Sequence, residues 1–152
     1  IRRIRSFHEF QRQYSWEMEP VAVEAPLDAL ELIDEGQHFF KMKGNELFKV
    51  AVRSMADVSG EMLEKAGYTV DDVDVVIPHQ ANQRITDAVA SRLGVPDEKV
   101  YTNIAEHGNT SSASIPIALD ECIESGKIHE GSLVLLTAFG GGVTWGGTVI
   151  RF

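Results

Sequence analysis

Val73-Asp74-Val75-Val76-Ile77-Pro78-His79-Gln80-Ala81-Asn82 is the stretch that decides the fold of this chain. Val73 to Ile77 is short, apolar and β-branched, which predicts a strand covered on both faces. Past the polar break, Ile85, Ala88, Val89 and Leu93 fall on one helical face, and Gly94 and Pro96 stop the run. A strand feeding a helix directly is the building unit of layered α/β folds. In open sheets of that kind, ligands bind in the crevice outside the carboxyl ends of the strands. His79 falls there.

The pattern extends in both directions. Upstream, Leu47, Ala51, Met55, Val58, Met62 and Ala66 recur at steps of three and four, the stripe of a long amphipathic helix. Gly67 follows the last turn, where positive φ is favoured. Downstream, a small strand is expected near Lys99 to Thr102 and a helix from Asn109 to Ser125, with Pro116 tolerated in or near its first turn. Leu133 to Phe139 and Val143 to Phe152 read as two strands joined by glycines. The order is helix, strand, helix, short strand, helix, strand, strand. That order predicts an α/β domain over residues 41–152 whose last two strands form a hairpin. Residues 1–40 read as an irregular N-terminal segment. Phe7, Phe10 and Tyr14 have helical spacing there, as do Leu27, Leu30 and Ile33, and Pro20 and Pro26 interrupt the stretch.

Composition narrows the function classes. The chain has 152 residues, of which 43% are hydrophobic, enough for one globular core. A net charge of -9 argues against nucleic acid as a general partner, because phosphate binding needs a positive surface. Arg2, Arg3, Arg5 and Arg12 form a local exception that reads as a solvated arm. A lone cysteine, Cys122, excludes an internal disulfide and fits a reducing compartment. No apolar run approaches the roughly 20 residues that span a bilayer, and no signal peptide pattern opens the sequence. The expectation is a soluble, cytoplasmic protein.

Three stretches carry residues fit for chemistry. In Pro78-His79-Gln80-Ala81-Asn82, the histidine sits ahead of a helix, where the dipole disfavours its cation. A neutral imidazole there either satisfies a turn or donates a hydrogen bond to a developing oxyanion. In Glu106-His107-Gly108-Asn109-Thr110-Ser111-Ser112-Ala113-Ser114, the small polar residues suit a helix cap. Alternatively, Asn109 points its amide into a cleft. His107 has no metal-ligand spacing to a partner and reads as structural, and no metal site is expected. In Phe139-Gly140-Gly141-Gly142-Val143-Thr144-Trp145-Gly146-Gly147, the glycines make a tight turn without the Lys-Ser/Thr of a P-loop. Such a run also lets backbone N–H groups converge on an anion. Cys122 has Asp120, Glu121 and Glu124 around it, which disfavour a thiolate, and reads as a packing residue.

Taken in order with Gly44-Asn45-Glu46-Leu47-Phe48-Lys49-Val50-Ala51-Val52, these stretches resemble β-ketoacyl-acyl carrier protein synthase III, a thiolase-like condensing enzyme. The resemblance covers about residues 40–152 and corresponds to the C-terminal half of such an enzyme. It implies a thiolase-like layered α/β fold, a mixed sheet packed by helices. It also implies a decarboxylating Claisen condensation that joins a short acyl group from acyl-CoA to malonyl-acyl carrier protein and so initiates fatty acid synthesis. His79 and Asn109 would donate hydrogen bonds to the malonyl thioester oxygen, and Gly141 would offer a backbone N–H to an oxyanion. Gly44, Phe48, Ala81, Asn82 and Ile85 would line a pantetheine tunnel, and Lys49 and Arg84 would meet the acyl carrier protein. No cofactor is implied beyond these two substrates. The nucleophilic cysteine of such enzymes lies in the N-terminal half, and Cys122 does not occupy a matching position. The implied partners are therefore the acyl carrier protein and an N-terminal half of the synthase, in a dimer of the complete enzyme, with no nucleic acid or membrane. A non-catalytic carrier-binding or scaffolding subunit is one alternative. A polyketide- or quinolone-type condensing enzyme is another.

Overall fold

The computed structural model describes residues 44–152. The expectations for residues 1–40 lie outside the described residues.

The first element, α1 (Gly44–Ala66), is the predicted amphipathic helix. It buries Ala51, Ser54, Met55, Ala56, Ser59 and Leu63, so the covered face includes two serines that a purely apolar stripe overlooks. Ser59 is accommodated because its hydroxyl donates back to the Met55 carbonyl at 2.7 Å. Ala66, expected on the stripe, is exposed. Gly67 takes a φ of 78°, and Tyr68 N–H reaches the Leu63 carbonyl at 2.9 Å, closing the helix as expected.

Strand β1 (Val75–Pro78) is buried at all four positions. Asn82 then caps α2 (Gln83–Leu93) by accepting the Ile85 N–H at 3.0 Å. Gly94, in the left-handed region at φ 73°, ends α2. The strand expected near Lys99 to Thr102 shrinks to a single parallel bridge between Val76 and Val100. The reason is the buried side chain of Gln80. It donates to the Tyr101 carbonyl at 3.4 Å and accepts from Thr102 Oγ1 at 3.0 Å and Asn103 N–H at 3.2 Å, in place of a neighbouring strand. A four-residue helix follows, α3 (Ile104–His107), which the sequence pattern does not announce.

The helix expected over Asn109 to Ser125 starts later. Ser111–Ala113 forms a 3-10 turn and α4 runs Ser114–Glu124, because Asn109 holds the Ser111 N–H with its own side chain. Pro116 sits in the first turn of α4, where no intrahelical N–H is missed. Strands β2 (Leu133–Gly140) and β3 (Thr144–Arg151) make the predicted hairpin. The sheet order is β1-β2-β3, with β1 parallel and β3 antiparallel to β2.

Strand alternation divides the core into two layers. Val76, Leu133 and Leu135 face one way and pack with Leu63 of α1, Val73 and Val95. Val75, Ile77 and Val134 face the other way and pack with Ala118 and Cys122 of α4 and with Ile128. Helices on both faces of a mixed sheet give the expected α/β layering. The same arrangement brings the carboxyl end of β1, the start of α4 and the β2–β3 turn to one end of the sheet.

Candidate active site

That end holds a cavity of about 570 Å³, whose walls include His79, Asn109, Ser114, Phe139, Gly141 and Trp145. His79 is the residue after β1, and its N–H extends the parallel ladder by donating to the Thr137 carbonyl at 2.8 Å. Its Nδ1 lies 2.6 Å from the Ser114 hydroxyl at the start of α4. Burial lowers the imidazole pKa, which keeps the ring neutral near pH 7. The sequence reading reached the same charge state through the dipole of the following helix, but desolvation is the cause here.

Asn109 follows Gly108, whose φ of 68° turns the chain out of α3. Its Oδ1 accepts the Ser111 N–H at 3.0 Å. This Asx turn fixes which end of the amide is which: the oxygen faces the backbone and the NH2 group remains as donor. Below the loop, Glu121 of α4 gathers donors from three segments. Tyr101 Oη at 2.9 Å and Asn103 Nδ2 at 2.7 Å reach one carboxylate oxygen, and His107 Nε2 lies 2.6 Å from the other. The His107 contact, then those of Asn103 and Tyr101, hold the Glu121 carboxyl below its usual range. Burial, then the contact with Glu121, pushes the Tyr101 hydroxyl up to about 12. His107 is therefore the structural residue expected from its spacing.

Gly141 stands in the β2–β3 turn, where its carbonyl accepts from Thr144 Oγ1 at 3.1 Å. Gly142 and Val143 both take positive φ, 75° and 57°. A β-branched side chain is rare in that region.

Residues 63–152 match the family described as 3-Oxoacyl-[acyl-carrier-protein (ACP)] synthase III C terminal. The chain belongs to this family. Among synthase III proteins, that of Aquifex aeolicus (strain VF5) is 58% identical over 114 residues, covering 75% of this chain and 37% of the relative. The crystal structure of the Aquifex aeolicus VF5 synthase III superposes with a TM-score of 0.73, again over 75% of this chain and 37% of that one. A priming β-ketosynthase from the R1128 polyketide biosynthetic pathway is 42% identical, with a TM-score of 0.67 over 72% of this chain and 33% of that one. The chain thus spans little more than a third of the length of the synthase III relatives it matches.

The remaining site residues expected from the resemblance lie apart from the cavity wall. Gly44, Phe48 and Lys49 stand on the first turns of α1, while Ala81, Asn82, Arg84 and Ile85 surround the start of α2. The two groups meet where the Arg84 guanidinium lies 5.5 Å from the Phe48 ring centroid. Asn82 spends its side-chain oxygen on the helix cap. Sequence reasoning missed Gln80, Ser114 and Glu121, whose hydrogen bonds join the His79 loop and the Tyr101 to His107 segment to their neighbours. Apart from the Gln80 bond to the Pro78 carbonyl, their side-chain polar contacts reach segments 14 to 35 positions away, so no local spacing announces them. Gln80 gives one hint, an uncharged polar residue directly beside the histidine. Among the described residues, no helix is long and apolar enough to cross a membrane.

Proposed function

We propose that this chain is the C-terminal portion of a decarboxylating condensing enzyme that joins a short acyl group from acyl-CoA to malonyl-acyl carrier protein, the opening step of fatty acid synthesis. One observation carries the reading: His79, Asn109 and Gly141, from three separate loops, line a single cavity. When the malonyl group loses carbon dioxide, negative charge develops on the thioester oxygen. An uncharged imidazole and a carboxamide NH2 favour that charge without trapping the ground-state carboxylate in an ion pair. Gly141 offers a backbone N–H to the oxyanion formed when the carbanion attacks the acyl thioester. Gly44, Phe48, Ala81, Asn82 and Ile85 line the approach for the pantetheine arm, and Lys49 and Arg84 meet the acidic carrier protein through local steering.

The nucleophile in this reading is a cysteine outside these 152 residues, on an N-terminal half of the synthase that also takes part in its dimer. Cys122, the chain's lone cysteine, is fully buried, and burial pushes its thiol up to about 11. The test is carbon dioxide release from malonyl-acyl carrier protein by the complete protein. His79→Ala and Asn109→Ala are each expected to slow it by about two to three powers of ten. Undiminished turnover in both variants removes the mechanism.

The inert Cys122 also favours a second reading, a non-catalytic carrier-binding or scaffolding subunit. Thiol labelling of the complete assembly separates the two. A cysteine protected by acetyl-CoA supports the condensing enzyme, and its absence supports the scaffold. The likeness to a priming ketosynthase leaves a polyketide-type product as a variant of the first reading. Product analysis with a panel of acyl-CoA starters distinguishes it.

A further inference from the structure

Ser114 is the first residue of α4, one position past Ala113 at the N-cap, and the helix has no side-chain cap. The Ser114 hydroxyl, on a residue 2% exposed, turns to the loop after β1, where it accepts the Gln80 backbone N–H at 3.3 Å and lies 2.6 Å from His79 Nδ1. A hydroxyl has one proton and two lone pairs. The Gln80 amide can only donate, so it occupies a lone pair. Among the described residues, His79 Nδ1 is the one acceptor in contact with the hydroxyl proton. Were Nδ1 protonated, two donors would converge on the oxygen and a buried O–H would lose its acceptor, an arrangement that folded proteins avoid.

We infer that Ser114 is a positioning residue that donates its O–H to His79 Nδ1 and thereby fixes the neutral tautomer with the proton on Nε2. Gln80 makes the arrangement rigid. Its buried side chain donates to the Pro78 carbonyl at 2.7 Å and accepts from Thr102 and Asn103, so the loop between His79 and α2 cannot swing to offer Ser114 another partner. Protonating the ring would turn Nδ1 into a donor and leave the buried Ser114 O–H without an acceptor, which acts in the same direction as burial. The use of this tautomer rests on the condensing reading above, since Nε2–H becomes the donor to the thioester oxygen. The tautomer itself does not depend on that reading.

Two-bond nitrogen–proton correlation spectra of the 15N-labelled full chain, recorded at a pH where the ring is neutral, test the inference directly. His79→Gln identifies the His79 signals by their loss. In the unmodified chain, Nε2 is expected to carry the proton and Nδ1 to be bare. Ser114→Thr, which keeps the hydroxyl, should preserve that pattern, and Ser114→Ala should replace it with an average of both tautomers. A proton on Nδ1 in the unmodified chain overturns the inference even if no variant folds, and so does an unaltered pattern in Ser114→Ala. In the complete protein, Ser114→Ala should lower kcat for malonyl decarboxylation by about one to two powers of ten with little change in KM, and Ser114→Thr should restore it. If the tautomer shifts in Ser114→Ala while turnover holds, the inference stands and the donor reading of His79 falls.

Discussion

At the scale of the residue, the neutral imidazole of His79 has a consequence for stability as well as for chemistry. Burial lowers its pKa from the 6.5 of an unfolded chain, so the unfolded state binds more protons as acid is added. The contribution is complete above about pH 6.5. It declines as pH falls below that point and levels off once the folded ring is itself protonated. Glu121 acts in a different window: its lowered pKa stabilises the fold above the ordinary glutamate value and is lost only as pH falls through the folded one. Urea unfolding between pH 7.5 and 5 should therefore show a steeper loss in the unmodified chain than in His79→Gln. Parallel curves would refute the assignment. His79 is singled out in the sequence because a polar loop follows a buried strand, where sheets bind ligands, and Asn109 because the family resemblance picks it from a polar stretch ahead of a helix. The two groups that orient them are not legible there. The hydroxyl that contacts His79 comes from 35 positions away, and the N–H that fixes the Asn109 amide becomes visible only with the turn geometry.

Elements raise a different question, how closely they approach. Gly147 of β3 lies against α1. An added methyl there would sit 3.3 Å from the Leu136 carbonyl oxygen and 3.5 Å from both Val58 Cγ1 and Met62 Cγ. The carbonyl belongs to the paired strand β2 and has little freedom to retreat. Gly147→Ala should destabilise the domain by about 1–3 kcal/mol, read as a lower urea midpoint with unchanged slope. Gly146→Ala meets nothing within 4 Å and is the matched control. Periodicity finds α1, α2 and the β2–β3 hairpin because each is long or sharply bounded. It fails over Lys99 to Thr102, where a glutamine side chain replaces strand pairing, and over α3, whose four residues are too short to show a period.

For the whole molecule, the core is a sheet covered on both sides, and Cys122 sits in the α4 layer with no exposure. Its thiol, pushed up to about 11, is both inaccessible and protonated at neutral pH. Alkylation at pH 8 should then require global opening and run at least about a thousandfold slower than in urea-unfolded chain, matching the folding equilibrium constant. Comparable rates in the two states would mean that the α4 layer is not part of the cooperative core.

The sequence by itself determined α1, β1, α2, the closing hairpin and the two polar loops. These follow from hydrophobic period and from the backbone preferences of glycine, proline and asparagine, which act over a few residues. Tertiary structure decided that three loops share one cavity and which atom each side chain has left to offer. Hydrogen-bond saturation is settled only when distant donors and acceptors meet, so Ser114, Gln80 and Glu121 acquire their roles from the fold.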